Sequence, residues 1–122
     1  MKKIAVFGLG YVGVVTAACL ANEGHHVTGI DINEEKVRLL NNGISPIVED
    51  QIGEMVQETV QSGLLKASAK LDEKIIQSDI IFVCVGTPSL INGSLDLSYV
   101  IIVCNDIGLL LENSKTRPLI VF

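Results

Sequence analysis

Ile4-Ala5-Val6-Phe7-Gly8-Leu9-Gly10-Tyr11-Val12-Gly13 stands at the head of the chain, and Val27-Thr28-Gly29-Ile30-Asp31 follows it. The first run has β character up to Phe7 and then meets three glycines in a GxGxxG arrangement. A helix-compatible run continues from Tyr11 to about Glu23 and stops at Gly24, a helix-ending residue. The second β run ends on a carboxylate about 20 residues further on, the spacing of a dinucleotide-binding unit. Gly8 permits the tight turn, Gly10 lets the backbone approach a pyrophosphate, and Gly13 lets helix and strand pack closely. The helix start then offers unpaired N–H groups and a positive dipole end to phosphates.

With 11 glycines in 122 residues, spaced glycines also arise by chance. The strand before the motif, the helix after it and the position of Asp31 supply the context that isolated glycines lack. The bland alternative is an α/β domain whose glycines serve packing alone. A second alternative is a secretory signal: Lys2-Lys3 precede an apolar stretch to Ala21, and Thr16-Ala17-Ala18-Cys19 has some likeness to a lipoprotein cleavage site. The glycines interrupt that apolar core, and a signal has no use for Asp31. The stretch is also too broken for a membrane span.

The length suits one domain, residues 1–122, with a real core. Hydrophobic residues make up 48%, and the mean hydropathy is +0.48. Both suit strands buried on two faces, as in a parallel sheet covered by helices. The net charge is −5, with no basic patch to favour nucleic acid. Trp is absent and aromatics are 4%, which leaves few stacking platforms. Cys19, Cys84 and Cys104 lie in apolar runs without metal-ligand spacing. They read as small buried hydrophobes of a reducing, cytoplasmic protein, with a catalytic thiol as the outside alternative. His25 and His26 read as turn or cap residues.

Strands are expected at 3–7, 27–31, 65–69, 80–85 and 119–122, and helices at 11–23, from an Asn33 cap to about 41, 49–61, 72–77 and 97–112. The alternation implies an α/β, Rossmann-type, doubly wound parallel sheet in three layers, with strand order 3-2-1-4-5. The helix from Leu97 carries more than one apolar stripe, which a helix on the outside of a small domain does not need. It reads either as a well-covered inner helix or as a face that meets another domain or subunit. The final strand is apolar to its last residue, which suggests a domain cut short at its C-terminus.

Asp31 is placed to accept hydrogen bonds from both hydroxyls of an adenosine ribose and to repel a 2′-phosphate. Ile32 and Asn33 bring no arginine to neutralise one, so the site reads as selective for NAD over NADP. Lys36, one helical turn beyond Asn33, is within reach of the same ribose or a phosphate; the alternative is a solvated helix lysine. Val83-Cys84-Val85-Gly86-Thr87-Pro88 leaves a strand beside the topological switch, where doubly wound sheets bind ligands. Gly86 allows close cofactor approach. Thr87 offers a hydroxyl and an N–H near the nicotinamide-side ribose, unless this is a plain turn.

Phe-Gly-Leu-Gly-Tyr-Val-Gly at 7–13, Gly-His at 24–25, Asp31, Ser-Pro-Ile-Val-Glu at 45–49, Val-Gly-Thr-Pro at 85–88 and Asn-Gly-Ser-Leu-Asp-Leu-Ser-Tyr at 92–99 resemble the UDP-glucose/GDP-mannose dehydrogenases. The resemblance runs the length of the chain and leans to the GDP-mannose 6-dehydrogenase branch. It implies NAD as cofactor, with Gly8, Gly10, Tyr11, Val12, Gly13, Asp31, Lys36 and Thr87 as contacts and Glu49 nearer the sugar side. It also implies oxidation of the C6 alcohol of a nucleotide sugar to a carboxylate through a covalent cysteine adduct, with reduction of two NAD. The family's nucleophilic cysteine, general-base lysine and sugar pocket lie beyond the matched region, and no cysteine here has that cysteine's glycine-rich context. The chain is therefore expected to hold NAD but to be inactive alone, to bind no nucleic acid or membrane, and to form a homo-oligomer. The rival readings are a free-standing dinucleotide sensor and the Rossmann domain of another NAD-dependent dehydrogenase.

Overall fold

A computed structural model describes residues 1–112 and 114–122. Strands β1 (Lys3–Phe7), β2 (His26–Ile30), β3 (Leu65–Ser68), β4 (Ile80–Val83) and β5 (Leu119–Val121) alternate with helices. The helices are α1 (Tyr11–Asn22), α2 (Glu34–Asn41), α3 (Asp50–Gln61), α4 (Glu73–Ile76) and α5 (Ser98–Glu112). The sheet order is β3-β2-β1-β4-β5, and every neighbouring pair is parallel. The winding order reverses between β1 and β4, the topological switch point at whose strand ends doubly wound sheets bind ligands.

The pleat of β1 divides the core. Ile4 and Val6 face Val14, Ala17, Ala18 and Ala21 of α1, Leu40 of α2 and Ile52 and Val56 of α3. Ala5 and Phe7 face the opposite layer, with Ile75 and Ile76 of α4 and Ile107 of α5. Successive strand residues point to opposite faces, so an unbroken apolar run in β1 serves a sheet covered on both sides. Each fully buried Val, Leu or Ile contributes about 1.5–3 kcal/mol relative to exposure.

Several boundaries differ from the sequence reading. Strand β4 ends at Val83 rather than Val85, because the chain there turns past Gly8. His26 opens β2 and is no turn residue, pairing in register with Lys3. His25 stays in the turn, where its Nδ1 accepts the Lys2 N–H at 3.0 Å. Cys19 and Cys104 are exposed and Cys84 only half-buried, which corrects their reading as core hydrophobes: apolar neighbours in sequence do not fix which side of a helix a residue takes. On α5 only Ile107 is fully buried, while Ile101, Ile102 and Leu109 are 56%, 55% and 63% exposed. Among the described residues no helix is long and apolar enough to cross a membrane.

The β3 edge is held by a side chain acting as a strand. Asn41, the last residue of α2, accepts the Ala67 N–H at 2.8 Å and donates to the Ala67 carbonyl at 3.0 Å. Each such bond is worth about 0.5–1.5 kcal/mol net. Asn41→Ala should therefore lower the unfolding free energy by about 1–3 kcal/mol, read as a shifted urea midpoint at constant m-value. An unchanged midpoint would show that β3 holds without this clamp.

Candidate dinucleotide site

The site is built on the turn from β1 into α1. Gly8 has φ +95°, and a Cβ there would lie 2.7 Å from the Cys84 carbonyl oxygen, so the turn presses against the chain leaving β4. A Cβ on Gly13 would lie 1.6 Å from the Gly8 carbonyl oxygen. Both glycines are thus required by the protein's own packing. Gly10 differs: its φ is −80°, and a Cβ there would meet nothing within 4 Å. No internal contact excludes a side chain there, so the outer surface of the turn is open to a ligand.

Helix α1 begins at this point without protection. Gly10 provides no capping side chain, and no acidic residue stands in the first turn. The neighbouring helices are treated otherwise. Asn33 caps α2 by accepting from the Glu35 and Lys36 N–H groups, with Glu34 and Glu35 in the first turn. Asp72 caps α4, and Asp50 stands in the first turn of α3. An uncapped N-terminus, backed by its dipole and with no acidic side chain in its own first turn, suits an external phosphate. This donor set fits a dinucleotide pyrophosphate.

Asp31 sits one residue past β2 and bridges two loops. Its Oδ2 accepts the Leu9 N–H and its Oδ1 the Asn33 N–H, both at 2.8 Å. The carboxylate is held rigidly, and each oxygen keeps a second lone pair for a ligand hydroxyl. Leu9 was not anticipated from the sequence. Its side chain is fully buried and lies over Gly29, where a Cβ would come within 2.6 Å of Leu9 Cδ2. An apolar residue between two glycines at a strand end was the available signal.

Lys36 lies in the first turn of α2, half-buried, on the chain that follows Asp31. The nearby Arg38 is engaged by Glu35 in an i,i+3 ion pair that holds the Glu35 carboxyl below its usual range. That guanidinium is thereby occupied by Glu35. Gly86 and Thr87 are exposed on the segment beyond β4, two residues past Cys84, whose N–H bonds the Phe7 carbonyl at 2.7 Å. The structure thus gathers Gly8, Gly10, Tyr11, Val12, Gly13, Asp31, Gly86 and Thr87 at the carboxyl end of the sheet, with Lys36 on the adjoining helix. Glu49, expected on the sugar side, accepts from the Tyr11 hydroxyl at 3.2 Å.

Burial pushes the Cys84 thiol above its ordinary value, so it stays protonated near neutral pH and is a poor nucleophile. Among the described residues no group of His, Cys, Asp and Glu is arranged to hold a metal ion. A concavity of about 340 Å³ between α4 and the end of α5, beside Ile76 and Thr116, belongs to the opposite end of the sheet.

The two kinds of glycine separate in a direct comparison. Gly10→Ala should leave the thermal midpoint nearly unchanged and abolish measurable dinucleotide binding. Gly13→Ala should lower the midpoint by several degrees or prevent folding, because the Gly8 carbonyl must move. Calorimetric melts and dinucleotide titrations of both variants check this, and a destabilised Gly10→Ala that still binds would contradict it.

Known proteins share the sequence and fold of this domain. The model of the UDP-glucose/GDP-mannose dehydrogenase family, NAD binding domain, matches residues 2–121. A GDP-mannose 6-dehydrogenase of Pseudomonas syringae pv. syringae is 46% identical over 119 residues, 98% of this chain and 27% of that protein. A UDP-glucose 6-dehydrogenase of Bacillus subtilis (strain 168) is 43% identical over 108 residues, 88% of this chain and 23% of that protein. Among solved structures, a ternary complex of GDP-mannose dehydrogenase from Pseudomonas aeruginosa superposes with a TM-score of 0.93 at 42% identity, covering 98% of this chain and 27% of that one. The chain thus spans about a quarter of the length of the curated relatives it matches. With its parallel sheet, glycine turn and strand-terminal Asp31, the chain belongs to the UDP-glucose/GDP-mannose dehydrogenase family as an NAD-binding domain.

Proposed function

We propose that this chain forms the cofactor-holding part of an enzyme that oxidises the C6 alcohol of a nucleotide sugar to a carboxylate, with GDP-mannose as the sugar nucleotide. The uncapped start of α1 beneath Gly10 carries the reading, because it is a phosphate site the protein itself leaves unfilled. The proteins named GDP-mannose 6-dehydrogenase, 46% identical in one case, support the choice of sugar. Bound NAD would supply the hydride acceptor.

The residues divide the dinucleotide between them. The turn at Gly8, Gly10, Tyr11, Val12 and Gly13 receives the pyrophosphate on backbone N–H groups. Asp31 accepts from the adenosine ribose while its own position is fixed by Leu9 and Asn33, and Lys36 offsets charge on that side. Gly86 and Thr87 border the nicotinamide half. Oxidation of the sugar needs a nucleophile and a sugar pocket from elsewhere in a longer protein, so the 122 residues alone turn over no substrate.

NAD should bind in preference to NADP. A charge-assisted hydrogen bond is worth about 1.5–3 kcal/mol, so Asp31→Ala should weaken NAD by about 10- to 150-fold. Titration calorimetry measures both, and equal affinities for the two cofactors in the unmutated chain would remove the assignment.

The open stripe of α5 supports self-association, since a contiguous apolar surface on a small domain drives chains together. Ile102→Glu or Leu109→Glu should shift the chain toward monomer in light scattering over a dilution series. A clean monomer of the unmutated chain at high concentration would count against an oligomer.

A further inference from the structure

We infer that Glu49 is a positioning residue for the cofactor: through the Tyr11 hydroxyl it fixes the start of α1, where the pyrophosphate is received. The inference rests on the NAD reading above. Tyr11 is the first residue of α1 and directly follows Gly10, the turn's conformationally freest point. Tyr11 is 59% exposed and takes no place in the core. What holds it is the hydrogen bond donated by its hydroxyl to Glu49 Oε2, at 3.2 Å across 38 residues of chain.

Glu49 occupies the N-cap of α3, yet its side chain makes no capping bond there. Glutamate is a poor residue for that position; Ser, Thr, Asp and Asn are preferred. Its backbone carbonyl starts α3 by accepting from Ile52 and Gly53, and its carboxylate is given to α1 instead. Helices α1 and α3 already share one core layer through Val14, Ala17, Ile52 and Val56. The Tyr11–Glu49 bond extends that packing to the two helix starts and so to the turn. The carboxylate also raises the Tyr11 phenol above its ordinary value.

A purely electrostatic role would have the opposite sign, because a carboxylate near a pyrophosphate opposes binding. Substitutions separate the two. Immobilising a loose side chain on binding costs about three- to tenfold in affinity. Glu49→Ala and Tyr11→Phe should each weaken NAD by that factor in calorimetric titration. Their combination should be no weaker than the weaker single variant, because both remove the same bond. Glu49→Gln keeps an acceptor and loses the charge, so it should bind NAD as tightly as the unmutated chain or more tightly. Far-UV circular dichroism checks folding, and Tyr11→Phe carries the test should Glu49→Ala unfold.

A second readout needs no cofactor. The chain has two tyrosines and no tryptophan, so Tyr99→Phe leaves Tyr11 as the sole phenol. Its absorbance titration should move to lower pH when Glu49→Ala is added. An unmoved titration, tighter NAD binding by Glu49→Ala in step with Glu49→Gln, or additive losses in the double variant would each overturn the inference. An unmutated chain that takes up no NAD would overturn the cofactor reading and this inference with it, a result distinct from normal binding that Glu49→Ala fails to change.

Discussion

Everything at the carboxyl end of this sheet depends on how closely α1 approaches the turn that launches it. The Gly8 carbonyl occupies the space that a side chain on Gly13 would fill, with a Cβ only 1.6 Å away. That contact lets a helix start with only three residues between it and the end of the first strand and aim its N-terminus across the crevice beside β4. Any larger residue would tilt the helix away and turn its free N–H groups elsewhere. The same closeness explains Ala17, Ala18 and Ala21 on the buried side of α1: small residues keep the helix near the sheet along its length.

A second constraint runs at right angles to the first. Asp31 ties the glycine turn to the start of α2 by accepting one backbone N–H from each. One carboxylate therefore shapes the turn and, in the proposed assignment, also presents its charge to the ribose hydroxyls of the dinucleotide. Two roles in one side chain make the site economical, and they also mean that loss of Asp31 disturbs geometry as well as charge.

Much of this was legible in the sequence because it is local. Strand, turn, helix and carboxylate follow one another within 31 residues, and right-handed crossovers then leave one sensible strand order. What escaped is contact between distant residues. Nothing in the spacing of Tyr11 and Glu49 announces a hydrogen bond, and nothing in Asn41 shows that its amide will stand in for a strand partner of Ala67. The cysteines were misread for a related reason. Cys19 and Cys104 have apolar neighbours but lie on outward sides of α1 and α5, and helical phase depends on where the sheet sits. The apolar excess of α5 was visible, while its exposure at Ile101, Ile102 and Leu109 required the fold.

The central claim is that the uncapped start of α1 receives the pyrophosphate of NAD. Backbone amide shifts recorded by NMR during an NAD titration test it most directly. The largest changes are expected at residues 9–13, with further changes at 31–36 and 86–87, and little change in α5. Shifts confined to the concavity between α4 and α5, with the glycine turn unaffected, would contradict it.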